Sequence, residues 1–192
     1  VDWKTAYASN EPLRRYGYIY DGLDRLKAAY YNDYSNSIKD EFFERITYDL
    51  NGNISTLKRS TKFNSTASNI IDNLSYTYSG NQLLNITDTS NKLDGYGSYD
   101  DITPNQYDAN GNMISQPAKR ISAINYNFLD LPVSVTESGK TGGKITFQYR
   151  ADGTKLSKSY KAGTSPISTT EYLDGFQYKN NVLQFVPTAE GY

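Results

Sequence analysis

Apolar and polar residues alternate along this chain with a period of two, in short stretches that each run into a polar turn. Ile145, Phe147 and Tyr149 share one parity, while Lys144, Thr146, Gln148 and Arg150 share the other. Leu74, Tyr76 and Tyr78 repeat the pattern, as do Tyr16, Tyr18 and Tyr20, and Ile124, Tyr126 and Phe128. Beyond the turns it resumes at Leu84/Ile86, Leu131/Val133/Val135 and Leu156/Tyr160. Successive side chains of a strand point to opposite faces, so this periodicity predicts strands with one apolar face. Asn-Gly and Asp-Gly between such runs accept the positive φ of a type I′ turn. Each unit therefore reads as strand, tight turn, strand.

The unit recurs. Tyr48-Asp49-Leu50-Asn51-Gly52-Asn53-Ile54 and Tyr107-Asp108-Ala109-Asn110-Gly111-Asn112-Met113 are the clearest copies, and Tyr149-Arg150-Ala151-Asp152-Gly153 keeps the tyrosine and the later glycine. Looser copies begin at Tyr20-Asp21-Gly22, Tyr78-Ser79-Gly80, Tyr126-Asn127-Phe128 and Tyr172-Leu173-Asp174-Gly175. The lead tyrosines are spaced 28, 30, 29, 19, 23 and 23 residues apart, which fits one hairpin plus a loop of variable length. The expected fold is all-β: consecutive antiparallel hairpins forming a curved, spiralling ribbon. Residues 1–192 are expected to form one continuous array of about seven hairpins, with no separate second domain. Segments 31–39, 60–69 and 88–103 are rich in Asn, Ser, Thr, Asp and Gly and read as loops at strand ends. Ser37 to Arg45 has the composition of a short helical turn, but reads better as the lead into a strand at Ile46.

A ribbon of roughly 14 strands at ~4.8 Å spacing is about 67 Å wide. Closed on itself it would be only ~20–30 Å across, too narrow for a 100-residue guest with a radius of gyration of ~13 Å. The segment is thus expected to be an arc of a larger wall. Its unpaired edges should meet a partner, a larger assembly or another copy.

Composition narrows the function. Lys and Arg number 20 against 21 Asp and Glu, a net charge of −1 that supplies no basic field for nucleic acid. The 19 tyrosines, large rings with a wettable hydroxyl, suit a thin, one-sided sheet better than a deep core. With no Cys and no His, thiol nucleophiles, disulfides, imidazole bases and most zinc or copper chemistry are excluded. No apolar run approaches the ~18 residues of a membrane helix, and Val1-Asp2-Trp3-Lys4 carries no targeting pattern. Any export signal is expected to lie outside this sequence.

Candidate chemistry is sparse. The Asp49-x-Asn51-Gly-Asn53 and Asp108-x-Asn110-Gly-Asn112 runs outline a calcium loop, but an EF-hand places Gly sixth and a bidentate acid twelfth. Here Gly is fourth, and the twelfth positions are Ser60 and Lys119, so turn formation explains these residues better. Asp100-Asp101 could form a glycosidase carboxylate pair only within a pocket that nothing in the sequence indicates. No histidine is available to activate a serine, and no glycine-rich loop opens a helix to hold phosphate. The expectation is no enzyme, no cofactor and no metal.

The unit Tyr-Asp-x-Asn-Gly-Asn-Ile/Met resembles the YD repeat of the RHS family, found in bacterial polymorphic toxins, insecticidal toxin-complex subunits and animal teneurins. The stretch from Thr169 to Tyr192 is similar to the segment just before the RHS core of bacterial members. The Asp-His-Leu-Gly-Asn-type motif and the self-cleavage motif that follow in them are not in this sequence. The resemblance covers the chain from about Arg14 onward. It implies a β-ribbon spiralling into a hollow shell around a toxic C-terminal polypeptide. It also implies structural repeat roles for Tyr20, Asp21, Tyr48, Asp49, Gly52, Tyr78, Gly80, Tyr107, Asp108, Gly111, Tyr126, Tyr149, Gly153, Tyr172 and Gly175. The implied partners are the rest of the parent RHS polypeptide and its C-terminal effector, then secretion machinery, in a secreted or cell-surface bacterial protein. A competing reading takes exposed tyrosine rings as sugar-stacking surfaces of an adhesion or carbohydrate-binding module. Cross-strand tyrosines packing on one another, at roughly 0.2–1 kcal/mol per pair, explain the same residues more simply.

Overall fold

The computed structural model describes residues 2–3, 13–33, 40–62, 68–90, 94–97, 101–139 and 142–188. The chain divides into two compact units, Val1–Ser98 and Tyr99–Tyr192, and each is treated by itself.

In the first unit, β1 (Asp2–Trp3), β2 (Arg14–Tyr20), β3 (Leu26–Asp33), β4 (Glu44–Tyr48), β5 (Ile54–Lys62), β6 (Ser68–Ser79) and β7 (Gln82–Asp88) form one seven-stranded sheet. Each strand pairs antiparallel with the next in sequence order, and the order does not return on itself, so the sheet is an open meander. The second unit begins with a small hairpin, β8 (Gln106–Tyr107) and β9 (Met113–Ser115), followed by a 3-10 turn at Pro117–Lys119. A second seven-stranded antiparallel meander follows: β10 (Ile121–Tyr126), β11 (Pro132–Glu137), β12 (Gly143–Tyr149), β13 (Lys155–Ala162), β14 (Ser168–Leu173), β15 (Phe176–Lys179) and β16 (Val182–Phe185). The architecture is all-β and built from consecutive antiparallel hairpins.

The alternation read from the sequence is the alternation of burial. In β12, Ile145, Phe147 and Tyr149 are half-buried while Lys144, Thr146 and Gln148 are exposed. In β6, Leu74 is buried and Tyr76 and Tyr78 half-buried, with Ser75, Thr77 and Ser79 exposed. Phe128 departs from its expected face, because it sits at a turn tip rather than in β10 and is exposed. Among the described residues only Ala28, Ala29, Phe43, Leu74 and Ala118 are buried apolar side chains. Half-buried aliphatic side chains and tyrosine rings supply the rest of the apolar interior.

Two local expectations change. The strands reach further into the polar stretches than composition suggests: β3 runs to Asp33, and β5 and β6 leave only residues 63–67 between them. Hydroxyl and amide side chains are at home on the solvent face of a one-sided sheet, so a polar run is no barrier to a strand there. The segment before Ile46 is a turn at 40–42 leading into β4, with residues 37–39 outside the described residues. Asp100 also lies outside them.

Candidate functional site

After four of the lead tyrosines, Tyr20, Tyr48, Tyr107 and Tyr126, the next residue caps the hairpin turn. Asp108 Oδ1 accepts hydrogen bonds from the backbone N–H groups of Asn110 and Asn112, both at 2.9 Å. Asp21 does the same for Leu23 and Arg25, at 2.9 and 3.0 Å, and Asn127 for Leu129 and Leu131, at 2.9 and 3.1 Å. Asp49 Oδ1 takes the Asn53 N–H at 2.9 Å, and its Oδ2 takes the Asn53 side-chain amide at 2.9 Å. A carboxylate or amide oxygen in this position closes an Asx turn. It thereby selects a three-residue loop, in which Gly52 N–H bonds to the Asp49 carbonyl and Asp49 N–H to the Asn53 carbonyl.

This corrects the expected type I′ turn at Asn51-Gly52 and Asn110-Gly111. Only the glycines, at φ of 90° and 88°, take the left-handed conformation there, as in a type I turn closed by a G1 bulge. Asp174-Gly175 (φ 47° and 93°) is a two-residue turn of the expected I′ kind, and Asn180-Asn181 (φ 49° and 65°) forms another. Gly80, at φ 59°, occupies the first central position of a two-residue turn between Ser79 and Gln82.

The copy at Tyr149 has Arg150 where the capping aspartate would be. Its turn keeps the backbone bonds, and Asp152 Oδ1 takes the Thr154 N–H at 2.8 Å instead. Arg150→Asp should therefore stabilise the second unit, by about 0.5–1 kcal/mol on the scale of side-chain caps, as measured by a shift in the urea midpoint.

Hydrogen bonding holds the capping carboxyls below their ordinary range. For Asp49 the Asn53 side-chain amide is the main cause; for Asp108 it is the Asn112 backbone N–H, for Asp21 that of Arg25, and for Asp152 that of Thr154. A folded pKa below the unfolded one means that each cap stabilises the fold above the ordinary value of 3.8, and that this contribution is lost as pH falls through the folded value. Asn127 makes the same cap without a charge. Asp108→Asn is thus expected to leave neutral-pH stability nearly unchanged and to flatten the stability loss below about pH 4, read from urea melts at stepped pH.

The tyrosines latch one hairpin to the one before it. Tyr48 donates its hydroxyl to the Leu26 carbonyl at 2.8 Å, and Tyr78 to the Ile54 carbonyl at 3.0 Å. In the second unit Tyr126 donates to the Met113 carbonyl at 2.8 Å and Tyr149 to the Pro132 carbonyl at 3.0 Å. Each acceptor is the residue paired with the preceding lead tyrosine: Leu26 with Tyr20, Ile54 with Tyr48, Met113 with Tyr107 and Pro132 with Tyr126. The turns also touch. Arg25 bonds Asp21 and lies 4.4 Å from the Tyr48 ring centroid; Asn53 reaches Asn81 at 3.1 Å; Asn110 and Asn112 reach Asp130 at 3.1 and 2.9 Å. Tyr172 makes no such latch, and the adjoining Gly175 packs against Pro187.

Burial pushes the Tyr126 and Tyr149 hydroxyls up from their ordinary value. The aspartates are thus held down and these tyrosines up, so neither set is tuned toward proton transfer near neutrality. The arrangement orients turns and ties strands.

A second tie carries no signal in the repeat pattern. Asp72 is completely buried; Arg59 donates Nε–H to its Oδ2 at 2.6 Å, and the Tyr96 backbone N–H meets its Oδ1 at 2.6 Å. Gly95 is required for this approach, since a Cβ there would lie 2.0 Å from the Ile71 carbonyl oxygen. Asp72 shares its parity with Leu74, Tyr76 and Tyr78, so a charge in the inward register was the available signal.

The remaining rings stack along strands as well as across them. Tyr16 and Tyr18 stack at 6.0 Å and 19°, and Tyr76 and Tyr78 at 6.5 Å and 10°. Tyr16 also meets Tyr31 across the strand pair at 5.5 Å.

No protein family matches the chain, and no curated protein does. Among solved structures it is similar to a chain in the crystal structure of TcdB2-TccC3-Cdc42, with 14% identity and a TM-score of 0.54 over 88% of this chain and 10% of that one. A chain in the crystal structure of TcdB2-TccC3-TEV aligns at 14% identity over 91% of this chain and 12% of that one, with a TM-score of 0.37. The first likeness establishes the fold alone, a run of consecutive antiparallel hairpins, and this chain spans about 10% of that far longer chain.

Proposed function

We propose that this chain is a non-catalytic section of an RHS-type shell wall, which encloses a C-terminal toxin or effector of the same secreted or cell-surface bacterial polypeptide. The observation that carries the reading is the latch. A hydroxyl-to-carbonyl tie between successive hairpins, repeated at Tyr48, Tyr78, Tyr126 and Tyr149, makes strips of sheet from a chain with very little buried core. Such a strip works by geometry, and its polar groups serve turns and ties. The fold shared with a section of a toxin-complex chain supports the same reading, and with it an association with other toxin-complex parts. Passage through secretion machinery belongs to this proposal as well.

The test is protease protection in the full-length parent polypeptide. The part C-terminal to this chain should resist digestion while the wall is intact. It should become cleavable when Tyr126 and Tyr149 are both changed to phenylalanine. Rapid digestion of that part in the unaltered polypeptide would refute the shell.

One observation favours a second reading, a glycan-binding surface. Tyr18 and Tyr20 are 45% and 55% exposed on β2, and Tyr18 is stacked on Tyr16. Glycan-array binding that disappears in Tyr18→Ala and Tyr20→Ala would move the assignment to adhesion.

A further inference from the structure

Among the described residues the latch is missing at the step between the 150–154 turn and the β14–β15 hairpin. We propose that the notch at this step is a docking socket for a tyrosine side chain carried on an extended segment of a partner polypeptide. The inference rests on the latch geometry and is independent of the shell reading.

At the regular steps the carbonyl of the first residue after a turn receives a tyrosine hydroxyl from the next hairpin. The corresponding carbonyl here belongs to Lys155, which pairs with Tyr149. Register explains why Tyr172 does not reach it. Continuing the strand ladders places Tyr48 across from Arg25, Tyr78 across from Asn53 and Tyr149 across from Leu131, in each case the last residue of the turn. The β13–β14 ladder pairs Ser157 with Glu171, which places Tyr172 across from Leu156. The hairpin is therefore drawn in by two residues, about 7 Å at the rise of a strand. No tyrosine hydroxyl among the described residues meets the Lys155 carbonyl.

Two clefts open at this step, of about 230 and 430 Å³, and they share Leu156, Tyr172 and Leu173. The smaller one also takes in Arg150, Lys155 and Gly175. Leu173 is 58% exposed, an uncovered apolar residue in the cleft that Lys155 also lines. Phe176 and Leu183, which the pairings place on the same face as Leu173, extend that wall as an exposed apolar track toward β16. Apolar walls and a carbonyl acceptor are what the ring and the hydroxyl of a tyrosine require, and the carbonyl holds the same place after its turn as those of the regular latches. Continuity with that interface, and the apolar track beside it, specify the occupant as a tyrosine flanked by apolar residues on an extended backbone.

The probe is p-cresol, the tyrosine side chain in isolation, titrated into the isotope-labelled chain and followed by amide NMR shifts. Lys155, Leu156, Tyr172 and Leu173 should shift together and saturate. Toluene, which lacks the hydroxyl, should bind about fivefold more weakly, the effect of one ordinary hydrogen bond. Leu173→Lys, at an exposed position that leaves the sheet pairing intact, should abolish the shifts. Equal binding of toluene, shifts confined to other amides, or an unaffected Leu173→Lys variant would each overturn the proposal. So would displacement of the same four amides by Tyr192→Ala without any probe, since the socket would then serve the chain's own tyrosine.

Discussion

Asp72→Ala is expected to lower the unfolding free energy of the first unit by about 3 kcal/mol, the lower end of the range for breaking a buried ion pair. The carboxylate is fully buried and serves two donors, the Arg59 guanidinium and the Tyr96 backbone N–H, each at 2.6 Å. Truncation leaves both without their acceptor. The Arg59 side chain is 38% exposed, so water can re-solvate part of it, which places the effect at the low end. Asp72→Asn keeps the shape and one acceptor and should fall between wild type and alanine. Urea melts with unchanged m-values would report the difference. An alanine variant within about 0.5 kcal/mol of wild type would mean that the ties from Asp72 to Arg59 and to the Tyr96 backbone add nothing to the sheet.

Much of this fold was legible because its determinants are local. Parity in 145–149 and 74–78 placed the strands and their half-buried face, and the tyrosine-led copies placed the turns. The turn type was not legible from Asn-Gly alone. That dipeptide signals a two-residue loop, but the preceding aspartate captures the amides of a longer one and leaves positive φ to the glycine only. The latch was legible by half. The lead tyrosines stood out, whereas their acceptors are backbone carbonyls 22, 24, 13 and 17 residues upstream, and every residue carries a carbonyl. Asp72 is hard to see in the sequence because an aspartate in a polar-rich stretch reads as solvent-facing until the register of the strand is followed through to Tyr78. Ala28 and Ala29 teach the reverse lesson: neighbours on opposite faces of β3 are both buried, which alternation does not anticipate.

Replacing the latch hydroxyls removes one hydrogen bond at a time with little change of shape. Each of Tyr48→Phe, Tyr78→Phe, Tyr126→Phe and Tyr149→Phe should cost about 1 kcal/mol, the net worth of an ordinary intramolecular hydrogen bond. The pair Tyr48/Tyr78 should then cost the first unit about 2 kcal/mol, and Tyr126/Tyr149 the second unit the same. Some departure from additivity is expected within a pair, because Ile54 is both the strand partner of Tyr48 and the acceptor of Tyr78. Alkali gives an independent handle on the second pair. Burial raises both hydroxyls, so their contribution is complete below the ordinary tyrosine value of 10.0 and is lost as pH rises through the folded one. The Tyr126→Phe/Tyr149→Phe protein should lack that alkaline step. Tyr172 supplies the internal control: its hydroxyl makes no latch, so Tyr172→Phe should stay within about 0.5 kcal/mol of wild type. A Tyr172→Phe loss as large as that of Tyr149→Phe would show that tyrosine hydroxyls stabilise these sheets wherever they stand, and the hairpin-to-hairpin tie would lose its special place.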